Sequence, residues 1–376
     1  GIVGLGFKDE AEAINRAAAA LKAQGVNALV ATLHEGGEIG AVGQPADWND
    51  TNCPFFRGYI LNIARHITPD VGVLLTGHTH QGYRCVVDGR PVVQATSYGR
   101  GVSVVDVMLD PATGRILADR TTSRNLPVFN DRTPDALRET LAAAQPAPYG
   151  QVLRSTRPLP AVAQLVAGYA TLAAETAGRQ VGGITGNFDR RGRTDSSAGR
   201  LIADAQLAAT RAPDRGGAQI ALMNPGGVRT DLACAKGAPP CDISHGEAFS
   251  MQPFGNSLVV VTLSGAQLKA LLESQQPAGR SSATVMSPSA GLRYRWVASA
   301  PFGQRVQDLQ LGGQPIRAEQ DYRVTVNSFM AEGGDGFELL KQGRNRLGGV
   351  LDLEALVAFL ATRPAPVPSP RVDWVE

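Results

Sequence analysis

Two largely apolar runs frame what this chain can fold into. VNALVATL (26–33) and VGVLLTGHTH (71–80) are of strand length, and each runs out into a loop that carries histidine. Runs of this kind read as buried strands. Each follows a helical pattern. Residues 9–24, DEAEAINRAAAALKAQ, place Asp9 and Glu12 in a capping-box spacing and stop at Gly25. GYILNIARHI is a second helix, stopped before Pro69. Helix, strand and loop in repetition predict a layered α/β domain. RCVVDGRPVVQATS and VSVVDVMLD-PATG-RILADR then read as hairpins, with Asp-Gly and Ala-Thr-Gly turns.

This first unit is expected to end near residue 125. Residues 126–158, rich in Pro and Ala, read as a connector, and LPAVAQLVAGYATLAAET (159–176) as a long helix that joins two domains. A second unit begins near 180. It carries the strand VGGITGNF, the helix SSAGRLIADAQLAAT and the strand AQIALMN, which breaks at Pro-Gly-Gly. LVVVTLSG leads into a helix capped by Ser264, YRVTVNSF is a strand before the loop EGGDGF, and Asp352 caps a last helix stopped by Pro364. A length of 376 residues sets a prior of two or three domains.

Composition removes several classes. With 43% hydrophobic and 19% charged residues the chain is an ordinary globular protein. A net charge of +2 argues against a nucleic-acid binder. No stretch is apolar for the length of a membrane span. The 43 glycines and 24 prolines have no period, which excludes collagen-like sequence. The four cysteines form no Cys-x-x-Cys, so a structural zinc site is not expected. In an oxidising compartment the preferred pairing is Cys53 with Cys85 and Cys234 with Cys241; the alternative is four reduced, buried thiols.

Three constellations carry chemistry. His34, His78 and His80 lie at strand ends, and residues i and i+2 of an extended segment share a side, so Gly-His-Thr-His can turn both imidazoles into one cleft. Imidazole suits zinc, manganese and iron, although His-x-His on a polar loop is more often surface decoration. Asn224-Pro225-Gly226-Gly227-Val228-Arg229 follows a strand; its glycines allow close backbone approach and its arginine offers a fork of donors to a phosphate, or it is a plain turn. Arg190, Arg191 and Arg193 add possible anion ligands or form a solvated basic loop. Phe254 and Phe329 sit in glycine loops, where two facing rings can stack on a planar base, and Asp335 of Gly-Gly-Asp-Gly-Phe can accept from ribose hydroxyls; the bland reading is that both rings are core.

Taken together these residues resemble the 5′-nucleotidase family, which includes bacterial periplasmic UDP-sugar hydrolases and surface ecto-5′-nucleotidases. Gly4 through Phe7-Lys8-Asp9 to Leu33-His34-Glu35-Gly36 is similar to the later part of its metallophosphatase domain, and Gly77-His78-Thr79-His80 to that domain's closing metal motif. Asn224 to Arg229, Gln252-Pro253-Phe254-Gly255-Asn256 and Gly333-Gly334-Asp335-Gly336-Phe337 are similar to its C-terminal domain, in the family's order. The resemblance implies part of a four-layer calcineurin-like metallophosphatase domain (1–125), a connector with a bridging helix (126–179) and an α/β substrate domain that binds nucleotide (180–376).

The resemblance also implies roles. His34 and His78 would ligate one divalent metal and His80 a second, drawn from Zn, Mn, Mg or Co. Asn224 and Arg229 would hold the phosphate, with Gly227 admitting it and Arg191 or Arg193 as a further anchor. Phe254 and Phe329 would sandwich the base, and Asp335 would bind ribose. The family's Asp-x-His, bridging Asp and Asn-His have no counterpart here, because the region that carries them lies upstream of Gly1. The chain is therefore expected to be a fragment, incomplete in metal ligands and a poor catalyst by itself. Its parent is expected to be a periplasmic, secreted or cell-surface hydrolase of nucleoside 5′-monophosphates. A non-catalytic nucleotide-binding protein, and a 2′,3′-cyclic phosphodiesterase, nucleotide-sugar hydrolase or sulfur-ester hydrolase of the same architecture, are the alternatives.

Overall fold

A computed structural model describes residues 6, 8–41, 46–130, 132–192, 194–234, 239–276, 283–362 and 364–376. The chain is mixed α/β and divides into two compact units at Pro158/Leu159.

The first unit opens with α1 (Glu10–Ala23), β1 (Leu29–Thr32), α2 (Ile60–His66) and β2 (Val71–Leu75). The Asp9 carboxylate accepts from the Glu12 amide at 2.9 Å, but Glu12 turns to Arg16 instead of closing the box. The hairpin β3 (Gly82–Val87) and β4 (Arg90–Ala95) follows, and the sheet runs β1-β2-β4-β3. β1, β2 and β4 are parallel neighbours; β3 returns antiparallel. Ile60, Ile63, Leu74, Tyr83 and Val92 form the core between this sheet and α1 and α2. Cys53 bonds to Cys85 of β3, with Cα atoms 5.7 Å apart, and fastens the loop before α2 to the sheet.

Two expectations change here. The second hairpin forms only its tip, a Leu109–Ile116 bridge; β5 (Gly101–Asp106) pairs instead with β6 (Thr122–Pro127). The stretch read as connector is folded. It makes α3 (Asp135–Ala143) and α4 (Ala147–Ser155), and Ala142 and Leu153 pack on Leu126 of β6. Alanine is a good helix former, and the prolines sit at the helix starts, where proline is tolerated.

The second unit starts with α5 (Pro160–Gly178), β7 (Gln180–Ile184), α6 (Ser197–Thr210) and β8 (Ile220–Met223). Then come β9 (Cys241–Ser244), α7 (His245–Met251), β10 (Ser257–Ser264) and α8 (Gly265–Glu273). β11 (Ser287–Pro288), β12 (Leu292–Val297), β13 (Val306–Leu311), β14 (Gln314–Pro315) and β15 (Asp321–Asn327) follow. α9 (Ser328–Ala331), β16 (Arg344–Leu351), α10 (Asp352–Thr362) and β17 (Val372–Val375) end the chain. The central sheet runs β11-β8-β15-β10-β16. β10 is buried from Leu258 to Leu263 because both its faces are covered. Val259, Val261 and Leu263 meet α8 and Trp296, while Val260 meets Leu207 of α6. A smaller sheet, β14-β13-β12-β17, supplies the fully buried Trp296, stacked on Trp374 at 6.2 Å. Cys234 and Cys241 are bonded, as the preferred pairing has it.

The last strand is held by charge. Arg371 grips both carboxylate oxygens of Asp204 on α6 at 2.9 and 2.7 Å and donates to the Pro288 carbonyl, while buried Asp195 accepts from the Arg371 amide and pairs with Arg200. Removing one partner of a buried pair strands the other, so Arg371→Ala should cost about 3 kcal/mol in a denaturant titration followed by tryptophan fluorescence. Reduction should raise the intact mass by four hydrogens, two for each disulfide. Cys85→Ser should lower the stability of the first unit by about 2–4 kcal/mol.

Candidate functional site

In the first unit the histidines come off the carboxyl edge of the parallel strands. β1 and β2 lie side by side in the same direction, and their pairing continues past the strands: the Leu33 amide donates to the Leu75 carbonyl and the Gly77 amide to the Glu35 carbonyl. His34 and His78 therefore leave the sheet together, with Nε2 of the first 3.3 Å from Nδ1 of the second. Two ring nitrogens at that distance are within reach of a hydrogen bond from one imidazole to the other, or of one cation held by both. Tetrahedral ligation at about 2.0–2.1 Å spaces two imidazole nitrogens by about 3.3 Å, so the pair fits one divalent ion of the zinc type. His80 is placed apart, edge-on to Tyr98 with ring centres 5.1 Å apart. Among the described residues no group of three or more His, Cys, Asp or Glu converges on a common point.

The motif does not run as a strand. His78 and His80 both adopt left-handed backbone, φ 68° and 57°, which L residues adopt at a cost. Thr79 between them is the anchor. Its hydroxyl donates to the Gly37 carbonyl at 2.7 Å and lies 3.0 Å from the Gln94 amide nitrogen, while buried Tyr83 joins Gln94 and Thr76. Burial pushes the Tyr83 hydroxyl up to about 12, so it stays a neutral donor. A Cβ at Gly36 would strike the Gly77 carbonyl and the Gln94 amide, which is why glycine follows His34-Glu35.

In the second unit one sheet edge collects the rest. β8 and β15 are parallel neighbours, so Asn224 after β8 and Asn327-Ser328-Phe329 after β15 emerge together. β10 is antiparallel to β15 and starts at this edge, which brings Phe254-Gly255-Asn256 beside them; β16 ends there, delivering Asp352. Ligands gather at such carboxyl ends. Asn224 is buried. It donates to Asp335 at 2.6 Å and accepts from Asn327 at 3.0 Å, and Asn327 in turn caps α9 by accepting from the Met330 amide. Asp335 is itself left-handed, φ 57°, and exposed. A Cβ on Gly334 would collide with the Phe329 ring, so glycine lets that phenyl lie against the backbone. Phe254 and Phe329 are 45% and 48% exposed, which rules out the reading of both as core. The Arg229 guanidinium sits over the Phe254 ring at 4.6 Å.

Pro225–Gly227 is one turn of 3-10 helix, and buried Gly227 admits the Met223 and Asn224 side chains. Arg191 is exposed on the preceding loop, and Arg193 lies outside the described residues. Arg190 is engaged with protein: its guanidinium holds the Arg229 carbonyl and its amide the Asp231 carboxylate. Sequence reasoning missed Asn327 as a site residue. It lies two residues before Phe329 in the chain's Asn-Ser-Phe, but its partner Asn224 is 103 residues upstream.

Residues 174–342 match the family model of the 5′-nucleotidase C-terminal domain. Over 98% of its length the chain is 27% identical to the endonuclease YhcR of Bacillus subtilis, covering 26% of that protein. Over 96% it is 27% identical to cell wall protein Lmo0130 of Listeria monocytogenes, covering 44%. The chain thus spans from about a quarter to less than half of these relatives. Among solved structures it is similar to a 5′-nucleotidase precursor from Thermus thermophilus. The TM-score is 0.67 at 26% identity, over 98% of this chain and 68% of that one. Asn224, Arg229, Phe254, Phe329 and Asp335 all fall inside the segment that matches the 5′-nucleotidase C-terminal domain.

Proposed function

We propose that this chain is part of a metal-dependent phosphohydrolase of nucleoside 5′-monophosphates that works outside the cytoplasm. The observation that carries the reading is the sheet edge of the second unit, where buried Asn224 bonded to exposed Asp335, one arginine and two half-exposed phenyl rings come from three separated segments. The phenyl rings of Phe254 and Phe329 hold the base by stacking. Asp335, kept in place by Asn224, accepts from ribose hydroxyls. Arg229 neutralises the phosphate, with Asn224 and the Gly227 turn beside it and Arg191 or Arg193 as a second anchor.

Residues 180–376 form the nucleotide-binding domain in this reading, 126–179 the connector with its helix, and 1–125 part of the metallophosphatase domain. His34 and His78 would hold one divalent ion and His80 a second. Such ions, when bound, polarise the phosphoryl group and activate water. Two disulfides and the cell-wall naming of Lmo0130 support an extracytoplasmic location. YhcR is named an endonuclease, but a net charge of +2 supports a small nucleotide over a polymer here. Nucleotide binding without hydrolysis is the second reading, favoured by the contrast between the assembled edge of the second unit and the two convergent imidazoles of the first.

Calorimetry on the whole chain with AMP, adenosine and inorganic phosphate tests the binding roles. Arg229→Ala should weaken AMP by about 10–100-fold, the worth of a charge-assisted contact; unchanged AMP affinity sinks the phosphate assignment. Phe254→Ala should weaken adenosine by about tenfold and inorganic phosphate less; equal effects contradict stacking. Zinc binding should fall in His78→Ala, and AMP hydrolysis with added Mn or Zn separates the enzyme from the pure binder.

A further inference from the structure

The two phenyl rings stand on separate segments: Phe254 under the Arg229 guanidinium, and Phe329, in α9, against the Gly334 backbone. Gly255, beside Phe254, is left-handed (φ 64°) with open space where a Cβ would stand. What joins the segments is polar. Asn256, two residues after Phe254, donates from Nδ2 to Asp352 Oδ2 at 3.2 Å. Its Oδ1 accepts from the Ser328 hydroxyl at 3.3 Å, and Ser328 immediately precedes Phe329. The anchor is firm: Asp352 is 2% exposed, its amide donates to the Asn256 carbonyl at 2.8 Å and its carboxylate accepts from the Leu353 amide. One amide therefore spends a donor on Asp352 and an acceptor on the residue that precedes Phe329.

We propose that Asn256 and Ser328 are positioning residues for base recognition. Their hydrogen bond ties the Phe254 turn to the Phe329 turn, with Asp352 as the fixed post, so the rings keep the spacing that a flat heterocycle needs. The inference rests on the base-stacking reading. Asparagine suits the position because its short amide presents a neutral donor to the Asp352 carboxylate and an acceptor to the hydroxyl. Alanine at 256 takes the amide from the Asp352 carboxylate, which keeps the Leu353 amide as a donor, leaves the half-buried Ser328 hydroxyl to water and frees the Phe254 turn about Gly255. A pre-set gap costs nothing to order when the base arrives; a loose one takes its ordering out of the affinity.

The test uses the whole chain, adenosine and inorganic phosphate as separate probes, and calorimetry. Asn256→Ala and Ser328→Ala should each weaken adenosine about fivefold or more, leave inorganic phosphate within about twofold, and keep the melting temperature. Ser328→Thr, which keeps the hydroxyl, should restore adenosine binding. With 4-fluorophenylalanine incorporated, the ring signals assigned through Phe254→Leu and Phe329→Leu should shift or broaden together in Asn256→Ala. If Asn256→Ala and Ser328→Ala bind adenosine as the parent does while Phe254→Ala does not, the positioning role is wrong and stacking stands. If both alanine variants lose adenosine and phosphate in parallel with melting temperature, their role is general folding and the proposal is overturned. If Phe254→Ala and Phe329→Ala also leave adenosine unchanged, or adenosine does not bind the parent chain, the stacking reading itself fails and takes this inference with it.

Discussion

β15 is bonded on both sides, antiparallel to β10 from Asp321 to Asn327 and parallel to β8 at Val324 and Thr325, and the site hangs on that pairing. Parallel neighbours bring their carboxyl ends to one edge, and an antiparallel neighbour brings its beginning there. Asn224, Asn256, Ser328 and Asp352 thus meet although the chain separates them widely. A slip of one residue would turn Val324 and Val326 out of the core and scatter the edge. Thr325 resists it. Fully buried, it hydrogen-bonds Thr210 of α6 at 2.6 Å, a polar contact that no shifted register can satisfy.

The first unit repeats the principle with one pair of strands. β1 and β2 run parallel, and His34 and His78 meet because the strand exits stay hydrogen-bonded beyond the sheet. Here the backbone carries strain, with two non-glycine residues at positive φ within three positions. The network of half-buried Thr79 with buried Gln94 and Tyr83 holds it in place. Neutral, mutually satisfied partners suit this task, since a charged group would lose far more hydration on the same burial.

Much of the architecture was legible because it is local. Asp9, Ser264 and Gly25 mark helix ends by bonds within one turn, and the Asp88-Gly89 hairpin shows in two residues with positive φ. β10 was readable as an apolar run for the reason that both its faces are covered. β16 was not. RNRLGGVL is exposed throughout and sits on the sheet edge, where arginine and glycine discourage pairing with other chains, so no alternation is written into it. The folded 126–158 stretch escaped because alanine and proline signal a connector and a short helix equally well.

Sequence by itself determined which side chains are candidates to carry chemistry: imidazoles at strand exits, an arginine after a glycine turn, phenyls and an aspartate in glycine loops. It also favoured the two disulfide pairings. Only the tertiary structure decided which of these meet, and what holds them. His80 lies against Tyr98, Arg190 is spent on the Arg229 carbonyl, and Asn327 and Asn256 become the polar links between segments. The physical reason is range. A residue's chemistry and its helix cap are fixed by neighbours in sequence. Its place in a site is fixed by strand order and register, which are set by burial and hydrogen bonding between residues far apart in the chain.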